Sequence, residues 1–561
     1  MTTGAVAPPA RTGLPPVSAD RTGGHRSGSH SPGGPLGTRL AATAAAAPDR
    51  VCLVDGDVRI TFGELVSRAD GAALRLRALG VRPGDRVLLQ LPNSWEFVVT
   101  LVACLRLGAV AVLTLPAHRR QELTAVARHS GAGALVVPDV WRGLDHQAMA
   151  HQVAQDLPGV PHVLVAGSQI GSGSLDLRAL CAPAPDPATA AGELDAGAPD
   201  GAAVALLLLS GGTSGTPKLI PRTHDDLACM ATRSATICRL GPGSTYLAAL
   251  PLGHGFALVS PGAVGTLLAG GAVVLCPSPA PEQAFPLIRR ERVTVTSVVP
   301  AVAQRWLQHA LTRGAPGESL QLLQVGGARM PDDVAAGLGP ALGCTVQQAF
   351  GMSEGLLCLT RVDDPVDVVR HTQGRPICPD DEVLVVDAAG QPVPLGRPGL
   401  LLTRGPCTVR GYHEAAELDR EAFTEDGWYR TGDVVRIRPD GNLVVVGREK
   451  DVVNRGGEKI AAADVEANAL RLPGLQAVAA VAMPHPELGE AICLYAVVAE
   501  GADVTLADVR QQMVRDGVAR FALPDHLEVV DDLPLTAVGK VDKRALQAGR
   551  PPQPAEVPAG T

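Results

Sequence analysis

The sequence predicts an α/β protein: a large N-terminal domain of α/β subdomains with a small β-rich subdomain, then a small α+β C-terminal domain. Three observations lead there. Short apolar runs alternate with amphipathic stretches through most of the chain, the pattern of largely parallel sheets covered by helices. Between 381 and 441 this gives way to short β-like runs separated by Gly and Pro. After about Asp451 helical and strand patterns mix within a hundred residues. A length of 561 residues accommodates two to four such units.

Taken in order, residues 1–37 are rich in Gly, Pro, Ser, Thr and Arg and lack the apolar run of a secretory signal, so a disordered tail is expected. Residues 51–54, 87–91, 110–115 and 134–137 read as strands. Residues 62–79 and 94–107 carry helical periodicity, with Gly80 where a helix terminator belongs. The apolar stretch 97–115 is interrupted by Arg106 and Gly108, which predicts a buried helix and strand, not a membrane span. Residues 182–201 are mostly Ala, Pro, Asp and Gly and read as a surface loop. Residues 202–209 form a strand that empties into a glycine loop. The β-rich part is expected to use 383–386 and 399–403. The last unit should hold helices at 461–470 and 506–516 and strands near 477–482 and 491–498. The Pro-rich end, 549–561, reads as a second disordered tail. The expected division is therefore 1–37, 38–449, 450–548 and 549–561.

With 49 basic and 57 acidic residues the net charge is −8, which argues against a nucleic-acid partner. Eleven cysteines stand singly with no C-x-x-C pair, as expected of reduced core thiols in a cytoplasmic protein without a membrane partner.

The loop Ser210-Gly211-Gly212-Thr213-Ser214-Gly215-Thr216-Pro217-Lys218 follows the apolar run 206–209. Backbone N–H groups of a glycine loop converge on anions, and hydroxyls and a lysine add donors and charge. Thr216 and Pro217 separate Gly215 from Lys218, so the loop is not a Walker A sequence. Its companions downstream are Gln348-Ala349-Phe350-Gly351-Met352-Ser353-Glu354-Gly355, expected on a tight turn; Tyr429-Arg430-Thr431-Gly432-Asp433; Gly447-Arg448-Glu449-Lys450-Asp451; Asn454-Arg455-Gly456-Gly457-Glu458-Lys459; and Gly539-Lys540. Each alone is a turn glycine or a surface charge.

In this order, from about Leu40 to Leu546, they resemble the motifs of the adenylate-forming superfamily: acyl- and aryl-CoA synthetases, adenylation domains of nonribosomal peptide synthetases, and luciferases. Leu209-Ser210-Gly211-Gly212, Lys218-Leu219-Ile220-Pro221-Arg222-Thr223-His224-Asp225-Asp226 and Leu323-Gln324-Val325-Gly326-Gly327-Ala328 are similar to the stand-alone aryl acid–AMP ligases, which activate 2,3-dihydroxybenzoate or salicylate. The resemblance implies that 38–449 is an adenylation core and 450–548 a mobile domain carrying the catalytic lysine. It implies ATP and Mg²⁺ as cofactors. Lys540, His254 and Glu354 are the catalytic candidates, with Glu354 the metal ligand. Ser210, Gly211, Gly212, Thr213, Ser214, Gly215, Thr216, Lys218, Gly327, Ala328, Phe350, Gly351, Ser353, Asp433 and Arg448 would bind the nucleotide. Lys450 and Asp451 would form a hinge, and Gly456, Gly457 and Lys459 would line the path of an incoming thiol.

By the same resemblance the acid pocket would be built from His254, Gly255, Phe256, Ser260, Gly327, Ala328, Ala349 and Leu357. Gly255 departs from the pattern. Amino-acid-activating relatives carry Asp there as counter-ion to the α-ammonium, and dihydroxybenzoate and salicylate ligases carry Asn. Glycine offers neither and opens space. The implied function is adenylation of an aromatic acid followed by transfer to the phosphopantetheine thiol of a separate carrier protein, in siderophore or nonribosomal peptide synthesis, with CoA as the alternative acceptor. Substrates with a different ortho group, such as 3-hydroxyanthranilate, 3-hydroxypicolinate or quinaldate, fit Gly255 as well as the plain siderophore acids.

Overall fold

The computed structural model describes residues 34–548 apart from 158–159, 161, 211–217, 456–457, 486–487, 517, 519 and 537–539. The chain forms two compact units. One comprises the described residues up to Thr431 together with Arg436–Val444; the other comprises Gly432–Val435 and the described residues from Val445 onward. The polypeptide therefore passes between units after Thr431, after Val435 and after Val444. Residues 445–449, expected in the first domain, fall in the second.

The larger unit is built on two mainly parallel sheets. The nine-stranded sheet runs Arg375–Pro376, Leu357–Leu359, Thr345–Gly351, Leu322–Gly326, Val295–Val298, Thr245–Ala248, Ala272–Leu275, Val51–Asp55 and Val58–Thr61. Its six central strands are parallel and its outer pairings antiparallel. The seven-stranded sheet runs Leu219–Thr223, Val204–Leu209, Val110–Leu113, Arg86–Leu89, Ala134–Pro138, His162–Ala166 and Leu175–Asp176. Only Val204–Leu209 and Leu219–Thr223 pair antiparallel in it, and they flank the glycine loop. The parallel strands are near-continuous runs of Val, Leu and Ala because both faces are covered.

Local chemistry sets the helix ends. Ser94 caps Trp95–Leu107 by accepting from Phe97 N–H at 3.4 Å, and Gly108 ends it at φ 78°. Inside this helix Arg106 is buried and paired with Asp70 at 2.7 Å. The expected loop 182–201 instead contains the helix Pro187–Ala196. Its N-terminus is an Asp-Pro start: Asp186 accepts from Thr189 N–H at 3.2 Å and proline occupies the first turn. The alanine-rich remainder buries Ala190 and Leu194. The first helix opens at Leu36, with Leu36 buried, so the expected tail overlaps it by two residues.

The β-rich expectation corresponds to a four-stranded sheet of Glu382–Val386, Gly399–Arg404, Tyr429–Ile437 and Leu443–Arg448. The second unit carries a five-stranded sheet in which Gly489–Val498 lies between Leu475–His485 and the hairpin Val452–Arg455/Glu458–Ala461, with His526–Val529 parallel to it. Ala462–Ala469 and Leu506–Arg515 bury Val465, Val509 and Met513 in its core. Among the described residues no helix is long and apolar enough to cross a membrane, and all eleven cysteines are free.

One buried group makes folding stability pH-dependent. Neither carboxylate oxygen of Asp381 has a hydrogen-bond partner, and burial, then the neighbouring Cys378, push its pKa from 3.8 up to about 7. The folded protein thus holds a proton between about pH 4 and pH 7 that the unfolded chain has released, so this group's contribution to stability falls as pH rises through that window. Asp381→Asn is expected to stabilise the protein at pH 8 by about 1–2 kcal/mol, with the advantage absent at pH 4. Melting curves across that range check it.

Candidate active site

The segment leading to His254 is held from beneath. Asn93 donates to the carbonyls of Ala248 at 2.8 Å and Leu250 at 3.0 Å and accepts from Leu252 N–H at 2.9 Å. A Cβ at Gly253 would stand 2.7 Å from Thr114 O, so only glycine lets the chain lie this close to the end of Val110–Leu113. His254 then caps the short helix Gly255–Val259, its Nδ1 accepting from Phe256 N–H at 3.3 Å.

Phe256, Gly326 and Ala349 meet. Gly326 is registered opposite Ala349 on adjacent parallel strands. A Cβ on Gly326 would lie 2.9 Å from Phe256 Cζ and 3.0 Å from Ala349 Cβ. The aromatic ring therefore rests against a glycine in the sheet. Gly327 follows at φ 91°, exposed, beside exposed Ala328. A Cβ at Gly255 would stand 3.2 Å from Leu208 Cδ1, a tight contact with the tip of a flexible side chain. Ser260 is buried, with Oγ 3.9 Å from Met230 Sδ. Gly351 and Leu357 pair across the strand edge.

The residues expected on one tight turn divide in two. Phe350 and Gly351 end the strand Thr345–Gly351, and the turn begins at Met352. A carboxylate and a lysine converge near this turn through a residue that the sequence reading passed over. Tyr412 donates its hydroxyl to Glu354 Oε1 at 3.0 Å, and Lys218 Nζ sits 4.8 Å from the centre of the Tyr412 ring. Val409 N–H donates to Glu354 O at 2.8 Å, and the φ of 142° at Gly355 lets residues 407–408 pack against it. Ser210 N–H donates to Lys218 O at 3.1 Å, joining the ends of the phosphate-loop segment. Gly211, Gly212, Thr213, Ser214, Gly215 and Thr216 lie outside the described residues.

Arg222 lies in the motif run Lys218–Asp226, where the sequence alone assigns it no role. Its guanidinium is buried. Nε donates to Asp226 Oδ1 at 2.9 Å, Nη1 to the Ser353 carbonyl at 2.9 Å and Nη2 to the Cys407 carbonyl at 3.4 Å. Asp226 also closes a capping box with Thr223. The run Arg222-Thr223-His224-Asp225-Asp226 thus starts a helix and braces the Glu354 turn at once.

In the second unit, Asp433 follows Gly432 (φ 71°) on a strand, neither capping a helix nor in a turn. It is buried and ion-paired with half-exposed Arg448 at 2.9 Å. Lys540 is half-buried: Thr536 N–H donates to Lys540 O at 2.6 Å, Lys540 N–H donates to Thr536 Oγ1 at 3.2 Å, and Leu535 bridges Val541. Lys450 and Asp451 lie in a single 3₁₀ turn. Gly456 and Gly457 are outside the described residues, as are the side chains of Lys450 and Lys459.

Residues 40–413 match the model of the AMP-binding enzymes and residues 464–540 that of the AMP-binding enzyme C-terminal domain. The chain belongs to the AMP-binding enzymes. It is an ATP-using acid–AMP ligase of the adenylate-forming superfamily. Among similar AMP-binding enzymes, a 2-hydroxy-7-methoxy-5-methyl-1-naphthoate–CoA ligase of Streptomyces carzinostaticus is 56% identical, over 97% of this chain and 98% of that one. A salicyl-AMP ligase / salicyl-S-ArCP synthetase of Mycobacterium tuberculosis is 46% identical, over 95% and 94%. The apo structure of MbtA from Mycobacterium smegmatis superposes with a TM-score of 0.71 at 44% identity, covering 96% of this chain and 99% of that one.

Proposed function

We propose that this enzyme adenylates an aromatic carboxylic acid, releases pyrophosphate, and passes the aryl group to the phosphopantetheine thiol of a separate carrier protein, acting in the cytoplasm. The observation that carries the aromatic reading is the Phe256 ring lying against Gly326 and Ala349, next to a position, Gly255, that carries no side chain. A flat, apolar surface suits a ring, and Gly255 supplies no carboxylate to pair an α-ammonium, whose burial unpaired is costly. The lack of a polar side chain at 255 favours acids with an ortho group other than the salicylate hydroxyl. A bicyclic acid of the kind named for the Streptomyces carzinostaticus relative is the first choice, ahead of quinaldate-like and monocyclic acids.

The chemistry brings a carboxylate to the α-phosphorus of ATP, anion against anion, so positioning and charge neutralisation carry the step. Lys218 and the loop before it would hold the β- and γ-phosphates. Lys540 would neutralise charge between the carboxylate and the α-phosphate, and Asp433 would accept from the ribose hydroxyls with Arg448 beside it. A single buried carboxylate, Glu354, fits Mg²⁺, which is commonly held by one or two carboxylates together with substrate phosphates and water. Bound there, the ion would neutralise phosphate charge.

A second acceptor has specific support: the relative at 56% identity is named a CoA ligase, while the one at 46% is named for transfer to a carrier protein. Acid-dependent ATP–pyrophosphate exchange over naphthoates, quinaldate, 3-hydroxyanthranilate, 3-hydroxypicolinate, salicylate, 2,3-dihydroxybenzoate and α-amino acids tests the substrate class. Thioester formation with CoA and with an aryl carrier protein tests the acceptor. Exchange confined to α-amino acids would refute the proposal. In the same assay Gly255→Asn is expected to raise the preference for 2-hydroxybenzoates over the native acid by about 10–100-fold, the worth of a pocket hydrogen bond plus the lost space. Unchanged ratios would remove Gly255 from the specificity argument.

A further inference from the structure

We propose that Tyr412 is a positioning residue that keeps the phosphate-loop lysine and the Glu354 carboxylate apart, so that both charges face ATP and its metal. This rests on the reading of Lys218 and Glu354 given above. Lys218 and Glu354 flank one tyrosine and form no ion pair with each other. The ring face takes the ammonium at 4.8 Å, and the hydroxyl takes Glu354 Oε1 at 3.0 Å. Were the ring smaller, an ammonium and a carboxylate in a half-buried setting would attract strongly and neutralise one another. The aromatic face instead stabilises the lysine without consuming its charge.

The tyrosine is itself fixed. It is nearly fully buried, its N–H donates to Asp419 Oδ1 at 2.8 Å, and its ring meets Phe423 edge-on at 6.1 Å. The next residue, His413, donates its N–H to Leu219 O at 2.9 Å, tying this segment to the strand that follows Lys218. Tyr429 stands 3.2 Å away, hydroxyl to hydroxyl. Tyr429 is hydrogen-bonded to Glu354 as well as to Tyr412. The two hydroxyls together orient the carboxylate.

The test measures Mg²⁺ half-saturation, ATP KM and acid KM in pyrophosphate exchange. It also measures Mn²⁺ binding by electron paramagnetic resonance with a non-hydrolysable ATP analogue. Tyr412→Phe keeps the ring and loses the hydroxyl. It should raise Mg²⁺ half-saturation about 5–10-fold and weaken Mn²⁺ binding to match, with acid KM unchanged. Tyr412→Leu loses the spacer and should raise ATP KM more than about tenfold as well. Unchanged metal affinity in Tyr412→Phe would overturn the proposal, and so would an unchanged ATP KM in a folded Tyr412→Leu. Glu354→Gln is the control. If it too leaves metal affinity unchanged, the assignment of Glu354 fails; if it alone shifts metal affinity, only the role of Tyr412 fails.

Discussion

Lys540→Ala lowers acid-dependent pyrophosphate exchange by about 10²–10³-fold, the usual cost of removing one group that stabilises transition-state charge. The backbone of Lys540 is held by its bonds to Thr536 and by the bridge from Leu535 to Val541. Truncation removes the charge and leaves these backbone bonds in place. Supplying synthetic aryl adenylate separates the two half-reactions. Thioester formation from the preformed adenylate should continue at close to the wild-type rate, because that step no longer needs a cation between carboxylate and α-phosphate. A loss of exchange below tenfold would take Lys540 out of the catalytic set.

Arg222→Met destabilises the protein by about 3–5 kcal/mol, the cost of stranding a buried charge by deleting its partner. Asp226 would keep its bonds to Thr223 and lose its cation, while the carbonyls of Ser353 and Cys407 would lose their donors. Arg222→Lys keeps the charge and loses the planar fork that reaches three acceptors, so it should fall between. Urea denaturation gives the stability, and ATP KM reports loosening of the turn that carries Ser353 and Glu354. A loss of less than 1 kcal/mol in Arg222→Met, read against the expected range, would mean the site relaxes around the change.

How much of this was legible in the sequence depended on distance along the chain. Ser94 and Gly108 announce the start and stop of the 13-residue helix they bound, and that helix is present. The strand before the glycine loop was readable from an unbroken apolar run. Asp186-Pro187 carried an equally local signal, but the Ala, Pro and Gly around it were weighed as composition, so the helix was missed. Tyr412 and Arg222 carry no local signal at all. Their partners lie 58 and 131 residues away, and only the folded strand order brings them together. The roles of Glu354, Lys218 and Lys540 came from motif resemblance, which named the charges and not the tyrosine that spaces two of them.

The triple passage of the chain between its two units bears on domain grafting. An exchange of C-terminal units between relatives made at 450 would combine residues 445–449 and 432–435 from one parent with the remainder of the same compact body from the other. The Asp433–Arg448 pair would then come whole from the host, while the hairpin Val452–Arg455/Glu458–Ala461 would come from the donor. A graft that moves 445 onward together with 432–435 preserves the donor's own packing. It also requires two extra splices inside one β-strand, Tyr429–Ile437. Functional chimeras of this chain are therefore expected to tolerate sequence divergence on the far side of that strand better than within it.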